Sequence, residues 1–317
     1  MGSVLESVDR RTQMVGSNRL ELLLFSLDGK QIFGINVFKV REVIITPPSI
    51  VVPKVHPVVR GVTTLREHKI PIMDLSMAIG RGGLDSHGHK ITYTIITEFN
   101  NAVQGFMVGK VEKIVHMEWR EVLPPPDMVG DNNYVTAVTQ VDNKIVEIID
   151  VERILAEVVG APTEITDESL IMDEQDMIQK DYHILIADDS SAARKQVQNT
   201  LHQLGISCTA FVDGQQALDF MRKMAKHSTV PIHEQFLMLI SDIEMPEMDG
   251  YTLSSELRRD PELKEIYIML HTSISGVFNE ALVEKVGAND FVPKWRPDEL
   301  ARAVMKRVAE VEGRVAV

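Results

Sequence analysis

Two patterns of hydrophobic and polar positions divide this chain into two parts. Between residues 19 and 149, short runs rich in Val, Ile and Thr are separated by turn residues such as Asp28-Gly29 and Asp142-Asn143. Short strands joined by tight turns are typical of a β-barrel or a β-sandwich. We predict strands over residues 20–27, 31–37, 61–65, 69–73, 90–99, 104–108, 110–116, 134–140 and 144–149, followed by a closing helix over 151–159.

From residue 183 onward, strand-like apolar runs alternate with segments of helical character. The predicted strands are 184–187, 207–212, 236–241, 266–270 and 291–292, and the predicted helices are 192–204, 215–226, 251–259, 277–285 and 297–311. Five successive strand–helix units predict a parallel sheet covered by helices on both faces. We therefore expect a doubly wound α/β domain, whose ligand site lies beyond the carboxyl ends of the strands.

A chain of 317 residues is long enough for two domains. We place an all-β domain at 18–160 and the α/β domain at 182–317, after a polar tail at 1–17 that we expect to be mobile. Between the domains, residues 161–181 carry seven acidic side chains and one lysine. This composition is typical of a solvated interdomain linker.

Charge and composition narrow the classes of function. The formal net charge is −13, which argues against a surface built to bind nucleic acid. The charge is uneven, because residues 1–160 carry 17 basic and 19 acidic side chains and residues 161–317 carry 16 and 27. No apolar run approaches the roughly 18 residues of a membrane span. The single cysteine, Cys208, cannot form an internal disulfide, so we expect a cytoplasmic protein.

Four predicted strands of the α/β domain end in groups with useful chemistry. Asp188 and Asp189 follow the first strand, Asp242 the third, Thr272 the fourth and Lys294 the fifth. Two carboxylates at ~4 Å repel by about 4 kcal/mol at an effective dielectric of about 20, so raised pKa values or a bound cation must relieve them. Oxygen ligands favour Mg²⁺, and a metal beside a carboxylate suits phosphoryl transfer. The ammonium and hydroxyl groups would contact the phosphoryl oxygens.

This constellation resembles the receiver domain of two-component response regulators. The acidic pair, Asp242 followed by Ile-Glu-Met-Pro-Glu-Met-Asp-Gly, Thr272, and Lys294 preceded by Phe291 carry the resemblance, which covers about residues 182–315. It implies that Asp242 accepts a phosphoryl group. It also implies that Thr272 and Phe291 form a coupled switch pair that moves when the phosphoryl group arrives.

The same resemblance implies a metal site. Asp189, Asp242 and the backbone carbonyl of Glu244 would hold Mg²⁺, and Asp188 would contribute through a water molecule. A phosphohydrolase acting on small molecules through an aspartyl intermediate is an alternative. It is disfavoured because such sites usually begin with Asp-x-Asp, whereas the carboxylates here are adjacent.

The all-β domain has no catalytic arrangement, but its runs 33–43 and 59–75 resemble the CheW-like coupling domain of bacterial chemotaxis. The resemblance implies two small β-barrels with an apolar groove between them and an adaptor role. It places Val40, Gly61 and Arg66 at partner interfaces. The family carries glycine where this chain has Glu67, so the turn after Arg66 is not expected to need a positive φ.

An adaptor domain followed by a receiver, with no output domain, is the architecture of CheV-type chemotaxis coupling proteins. The resemblance implies a scaffold linking chemoreceptors (methyl-accepting chemotaxis proteins) to the histidine kinase CheA, in the cytoplasm and recruited to membrane-associated receptor arrays. It implies no nucleic acid partner, no direct membrane insertion, and a receiver that promotes its own phosphorylation and dephosphorylation rather than a conventional enzyme. A phosphate sink, which drains phosphoryl groups from the kinase, remains an alternative.

Overall fold

The computed structural model describes residues 19–29, 31–88, 91–99, 102–123, 134–160, 162, 164–167, 170, 182–272 and 285–313. The predicted tail at 1–17 lies outside these residues, as does the predicted helix 277–285 apart from its last residue. The chain divides into two compact units, with the boundary between Gly160 and Ala161. Within the described ranges, every helix is too short or too polar to span a bilayer.

The first unit is built from two five-stranded sheets, with strand orders β8-β1-β2-β10-β9 and β3-β6-β7-β5-β4. The strands are β1 (Arg19–Ser26), β2 (Ile32–Asn36), β3 (Val40–Ile45), β4 (Val59–Leu65), β5 (His68–Asp74), β6 (Tyr93–Phe99), β7 (Ala102–Val108), β8 (Lys110–Glu118), β9 (Val135–Val141) and β10 (Lys144–Ile149), and the helices are α1 (Leu75–Ala78) and α2 (Val151–Val159). The predicted all-β class, its strands and its closing helix are confirmed. β3 and α1 were not predicted.

Strand β1 shows how the alternating pattern builds the first unit. Successive side chains of a strand point to opposite faces of the sheet. Leu22 and Leu24 belong to a small core cluster on one face. Leu23 and Phe25 belong to a larger cluster on the other face, which also takes in buried side chains of the second sheet. Both faces of β1 are therefore buried, which accounts for its nearly continuous apolar sequence.

The hairpin between β4 and β5 corrects one expectation. Leu65 pairs with His68, so the connecting loop consists of Arg66 and Glu67 alone. Their φ angles are 46° and 73°. Positive φ at both loop positions is the signature of the type I′ turn, one of the two loop types that match the twist of the flanking strands. The prediction that this turn needs no positive φ is therefore wrong.

The second unit contains one parallel sheet of strand order β12-β11-β13-β14-β15. Its elements are β11 (His183–Ala187), α3 (Ser191–Gln203), β12 (Ser207–Phe211), α4 (Gly214–His227), α5 (Ile232–Gln235), β13 (Met238–Asp242), α6 (Gly250–Arg259), β14 (Ile268–Thr272), β15 (Asp290–Pro293) and α7 (Pro297–Glu312). One core cluster takes in side chains of α4 and α6 and the other side chains of α3 and α7. The predicted doubly wound α/β fold is confirmed, and α5 is a short addition to it.

Candidate functional site

The candidate site lies at the carboxyl ends of the strands of the parallel sheet. Strand β11 has β12 on one side and β13 on the other, so the strand order reverses between β11 and β13. A switch point of this kind leaves a crevice beyond the strand ends. Asp188 directly follows β11, and Asp242 is the last residue of β13. Both carboxylates are therefore delivered to the crevice.

Three carboxylates and one ammonium group meet in this crevice. One oxygen from each of Asp188, Asp189 and Asp242 lies within 4.8 Å of the others. The Nζ atom of Lys294 is 2.7 Å from Oδ2 of Asp242 and 3.1 Å from Oδ2 of Asp188. Asp188, Asp242 and Lys294 are only 1%, 5% and 5% exposed. Four residues predicted from the ends of three separate strands thus form one site that is largely shielded from water.

The charges of the site are unbalanced. Burial is the largest cause that raises the pKa of Asp242 well above its ordinary value. The ammonium of Lys294 acts in the opposite direction, and the carboxylates of Asp188 and Asp189 raise the pKa further. A charged carboxylate in a poorly solvated place, beside others of the same sign, is costly. A cation or a phosphoryl group that recruits one would relieve this cost.

The donor set fits a hard divalent cation. Within the described ranges this is the only group of three side chains placed to share a metal ion, and all three offer carboxylate oxygens. Mg²⁺ prefers such ligands and is commonly held by one or two carboxylates together with water. One oxygen of Asp188 is already engaged, because Oδ1 accepts a hydrogen bond of 2.9 Å from the backbone N–H of Ser190. Glu244, whose backbone carbonyl was predicted as a ligand, is partly buried two residues after Asp242.

The loop after Asp242 is held close to the end of β13. The backbone N–H of Ile243 donates to Oδ1 of Asp242 over 2.7 Å, and the N–H of Gly250 donates to the carbonyl of Ile243 over 2.9 Å. A Cβ atom at Gly250 would lie 2.1 Å from the carbonyl oxygen of Asp242. Only glycine permits this approach, which gives a physical reason for the Met-Asp-Gly ending of the motif.

The predicted switch residues lie on the next two strands. Thr272 is the last residue of β14 and is 2% exposed. Its carbonyl accepts a hydrogen bond of 3.0 Å from the backbone N–H of Lys294. Phe291 on β15 is partly buried and packs against the core cluster that includes α4 and α6 side chains. A backbone hydrogen bond therefore joins Thr272 to Lys294, while the ring of Phe291 packs against the core cluster.

Sequence reasoning missed three neighbours of Asp188. Ser190 donates to its carboxylate, and Nη1 of Arg194 donates to its backbone carbonyl over 2.6 Å. The imidazole of His271 is 2% exposed, and its Nδ1 lies 3.9 Å from Oδ2 of Asp188. A polar residue in the otherwise apolar run of β14 was the signal that could have singled out His271.

The three predicted interface residues of the first unit have different surroundings. Arg66 has a side chain that is 68% exposed and forms an ion pair of 2.9 Å with Glu42. Val40 is partly buried and packs against the large core cluster. Gly61 is buried, and a Cβ atom there would lie 2.6 Å from the carbonyl oxygen of Ile50. Arg66 is thus available for a partner, whereas Gly61 has a role in the close approach of two backbone segments.

An exposed apolar segment follows β3 in the first unit. Ile45, Ile50 and Val51 are 66%, 80% and 76% exposed. Ile50 pairs in a β-bridge with Val62 of β4, so the segment is anchored to the sheet that also carries Arg66. Large apolar side chains exposed together are characteristic of protein interaction sites. Nothing in the sequence pattern distinguished them from buried strand residues.

Comparison with known proteins gives two family matches in the order of the two units. Residues 21–159 match the CheW-like domain family, and residues 184–305 match the response regulator receiver domain family. Chemotaxis protein CheV3 of Helicobacter pylori is 30% identical over 307 residues, which cover 91% of this chain and 94% of that protein. Chemotaxis protein CheV1 of the same organism is 25% identical over 321 residues, which cover 96% and 98%. The solved scaffolding protein TtCheW of Thermoanaerobacter tengcongensis is 25% identical over 42% of this chain and 84% of that chain, with a TM-score of 0.37.

Proposed function

Because this chain belongs to the CheV-type chemotaxis coupling proteins, in which a CheW-like domain is joined to a receiver domain, we propose that it couples chemoreceptors to the histidine kinase CheA under the control of phosphorylation at Asp242. The observation that carries this proposal is the buried pair of Asp242 and Lys294 within a cluster of three carboxylates. The CheW-like match over residues 21–159 and the receiver match over residues 184–305 stand in one chain, so the adaptor is the available target of the receiver's phosphorylation.

The chemistry is transfer of a phosphoryl group from a phosphohistidine of the kinase. An oxygen of Asp242 attacks phosphorus, the new O–P bond forms as the N–P bond breaks, and the imidazole nitrogen leaves with the electron pair. Asp188, Asp189 and Asp242 would hold Mg²⁺, which when bound neutralises charge on the transferring group. Lys294 would move from its two carboxylates to a phosphoryl oxygen. The protein thereby promotes its own modification and acts on no separate small substrate.

The partners are proteins that bind to the first unit. The exposed guanidinium of Arg66 and the apolar segment with Ile45, Ile50 and Val51 supply the arginine and apolar groups that protein interfaces favour. We assign this surface to the kinase or the receptor. The protein would then work in the cytoplasm at membrane-associated receptor arrays.

Incubation with the cognate kinase, labelled ATP and Mg²⁺ tests the acceptor. The intact protein should take up label, and Asp242→Asn should lose it by at least about 100-fold. Asp219→Asn, which changes an exposed aspartate of α4, is the matched control and should label normally. Label retained by Asp242→Asn would show that the acceptor is another residue.

Kinase activity in reconstituted receptor complexes tests the regulation. We expect the activity to differ between complexes with phosphorylated and with unphosphorylated protein. Equal activity with both forms, together with rapid loss of label from Asp242, would instead support a phosphate sink.

A further inference from the structure

The stretch that follows the first unit is bound to the receiver. The sequence predicted a linker over 161–181, yet its described residues, 164–167 and 170 with Pro162, include side chains packed into the second unit. We call Glu164–Asp167 together with Leu170 the strap. Only residues 161–163 separate it from Gly160, which ends α2. The strap is therefore joined to the first unit by three residues.

Apolar packing holds one end of the strap. Ile165 is 7% exposed and belongs to the core cluster that includes Val197 and Leu201 of α3 and Leu300 of α7. Its backbone N–H donates to Oε1 of Gln203 over 2.9 Å. A branched apolar side chain buried in this way is part of the receiver core and not of a solvated linker.

A second set of contacts fixes the strap to the beginning of α7. The carboxylate of Asp298 accepts hydrogen bonds from the backbone N–H of Thr166 (2.8 Å), the hydroxyl of Thr166 (2.5 Å) and the backbone N–H of Asp167 (3.2 Å). The hydroxyl of Thr166 is the main cause that holds the pKa of Asp298 below its ordinary value. Asp167 in turn forms an ion pair of 3.0 Å with Arg302, one turn further along α7. One carboxylate thus binds two consecutive strap residues.

The helix end that holds the strap begins next to the phosphorylation site. Lys294 and Asp298 are separated by three residues, the first of which is Trp295. Trp295 has a φ of 62°, a conformation that is costly for a bulky side chain. Its indole Nε1 is buried and has no hydrogen-bond partner among the described residues, which adds a second cost. The backbone between Lys294 and α7 is therefore held in a strained arrangement in the unmodified protein.

We propose that the strap transmits phosphorylation of Asp242 to the first unit, by being released from Asp298 when Lys294 changes its partners. Lys294 contacts Asp188 and Asp242 in the unmodified state; when it turns to a phosphoryl oxygen, Trp295 relaxes and the first turn of α7 shifts. Because Asp298 binds two strap residues at once, such a shift breaks several hydrogen bonds together. This inference rests on the proposed function, since it needs phosphorylation to occur at Asp242.

Amide hydrogen exchange of the full chain tests the release directly. The backbone N–H groups of Ile165, Thr166 and Asp167 report on the docked strap, because each donates to a receiver side chain. Addition of Mg²⁺ and beryllofluoride, a phosphoryl mimic, should raise their exchange rates by about tenfold or more. The Asp242→Asn variant should show no such rise. Unchanged exchange in the intact chain, with ¹⁹F NMR showing bound beryllofluoride, would overturn the proposal.

Two variants distinguish the role of the strap in coupling from the chemistry of the phosphorylation site. Asp298→Ala should release the strap without phosphorylation and remove the difference in coupling between the two phosphorylation states, while the rate of labelling at Asp242 stays within about twofold. Glu299→Ala, the exposed acidic neighbour in the same helical turn, should behave like the intact chain. If Asp298→Ala is poorly folded, Thr166→Val removes one of the bonds and should raise strap exchange on its own.

The outcomes also separate this inference from the proposed function. A folded Asp298→Ala protein that keeps the full phosphorylation-dependent change in coupling would refute transmission through the strap. It would still be consistent with regulation of coupling by phosphorylation of Asp242. Absence of any such change in the intact, labelled protein would refute the regulation itself.

Discussion

At the scale of single residues, the buried carboxylate of Asp242 lowers the folding stability of the unmodified protein. Its carboxylate is buried beside two others, and the ammonium of Lys294 lies close enough to Asp242 and Asp188 to offset part of both charges. Groups that are costly in the resting state are common at functional sites. The receiver unit should therefore become more stable when this charge is removed.

We predict that Asp242→Asn raises the stability of the receiver by about 1–2 kcal/mol at pH 8 without Mg²⁺. The pKa of Asp242 is raised in the folded protein, so the folded state binds the proton more tightly than the unfolded chain. Stability is then lost as pH rises from the ordinary carboxyl pKa of about 4 through the raised value. Because asparagine does not titrate, the advantage of the variant should grow with pH.

Thermal unfolding in EDTA at several pH values measures this difference. Asp219→Asn, at an exposed position, controls for the loss of a carboxylate and should leave the transition nearly unchanged. A variant that is less stable than the parent at pH 8 would show that Asp242 stabilises the resting protein, contrary to our interpretation.

The sequence could predict the site residues whose position follows from the fold class. Asp188, Asp242 and Thr272 each end or follow a strand, and parallel strands bring their carboxyl ends to one edge of the sheet. The neighbours of Asp188 could not be found in this way. The contact of Arg194 depends on how the first turn of a helix lies over the strand end, and that of His271 depends on side-chain packing. Arg194 has no local sequence pattern, and the one sequence signal for His271 is its place as a polar residue in the apolar run of β14.

At the scale of elements, the β4–β5 hairpin shows why turn geometry escaped prediction. Its strands were predicted from their composition, but the loop length depends on the register that pairs Leu65 with His68. That register leaves a two-residue loop, and the type I′-like turn that closes it puts positive φ on both Arg66 and Glu67. The absence of glycine thus changed the energy of the turn and not its shape.

We predict that Glu67→Gly stabilises the first unit by about 1 kcal/mol. A non-glycine residue at a φ of 73° pays a steric cost that glycine does not. Denaturant unfolding followed by tryptophan fluorescence in a Trp295→Phe background, which leaves Trp119 of the first unit as the reporter, would measure the change. His68→Gly, at the adjacent paired position of β5, should instead be destabilised, because glycine weakens a strand. A loss of stability in Glu67→Gly would mean that the glutamate makes a contact worth more than the turn strain.

The elements that were not predicted share a physical cause. Helices α1 and α5 have four residues each, too few to display a helical period. The edge strand β3 pairs only with β6 in its sheet and alternates between partly buried and exposed positions. Helix α1 depends on Asp74, whose buried carboxylate accepts from the N–H groups of Met77 and Leu84. Such elements are specified by tertiary contacts rather than by their own sequence.

At the scale of the whole molecule, the acidic excess and the adaptor belong to different units. Residues 161–317 carry 27 acidic and 16 basic side chains, and three of the acidic ones form the candidate metal site. The first unit has its own large core cluster, which includes no residue of the second. Ligands of the acidic site should therefore change the stability of the second unit directly. Their effect on the first unit should be transmitted through the strap.

Calorimetry of the full chain would test this division. We expect two unfolding transitions, because each unit has its own core. Mg²⁺ with beryllofluoride at about 100 times their dissociation constant should stabilise the receiver by about 2.7 kcal/mol and raise its transition by about 10 °C. The transition of the first unit should stay within about 1 °C, since release of the strap removes contacts with the receiver and none within the first unit's core. Asp242→Asn should show no ligand-induced shift in either transition. A joint shift of both transitions would mean that the two units unfold as one, and that the strap is not the path by which they communicate.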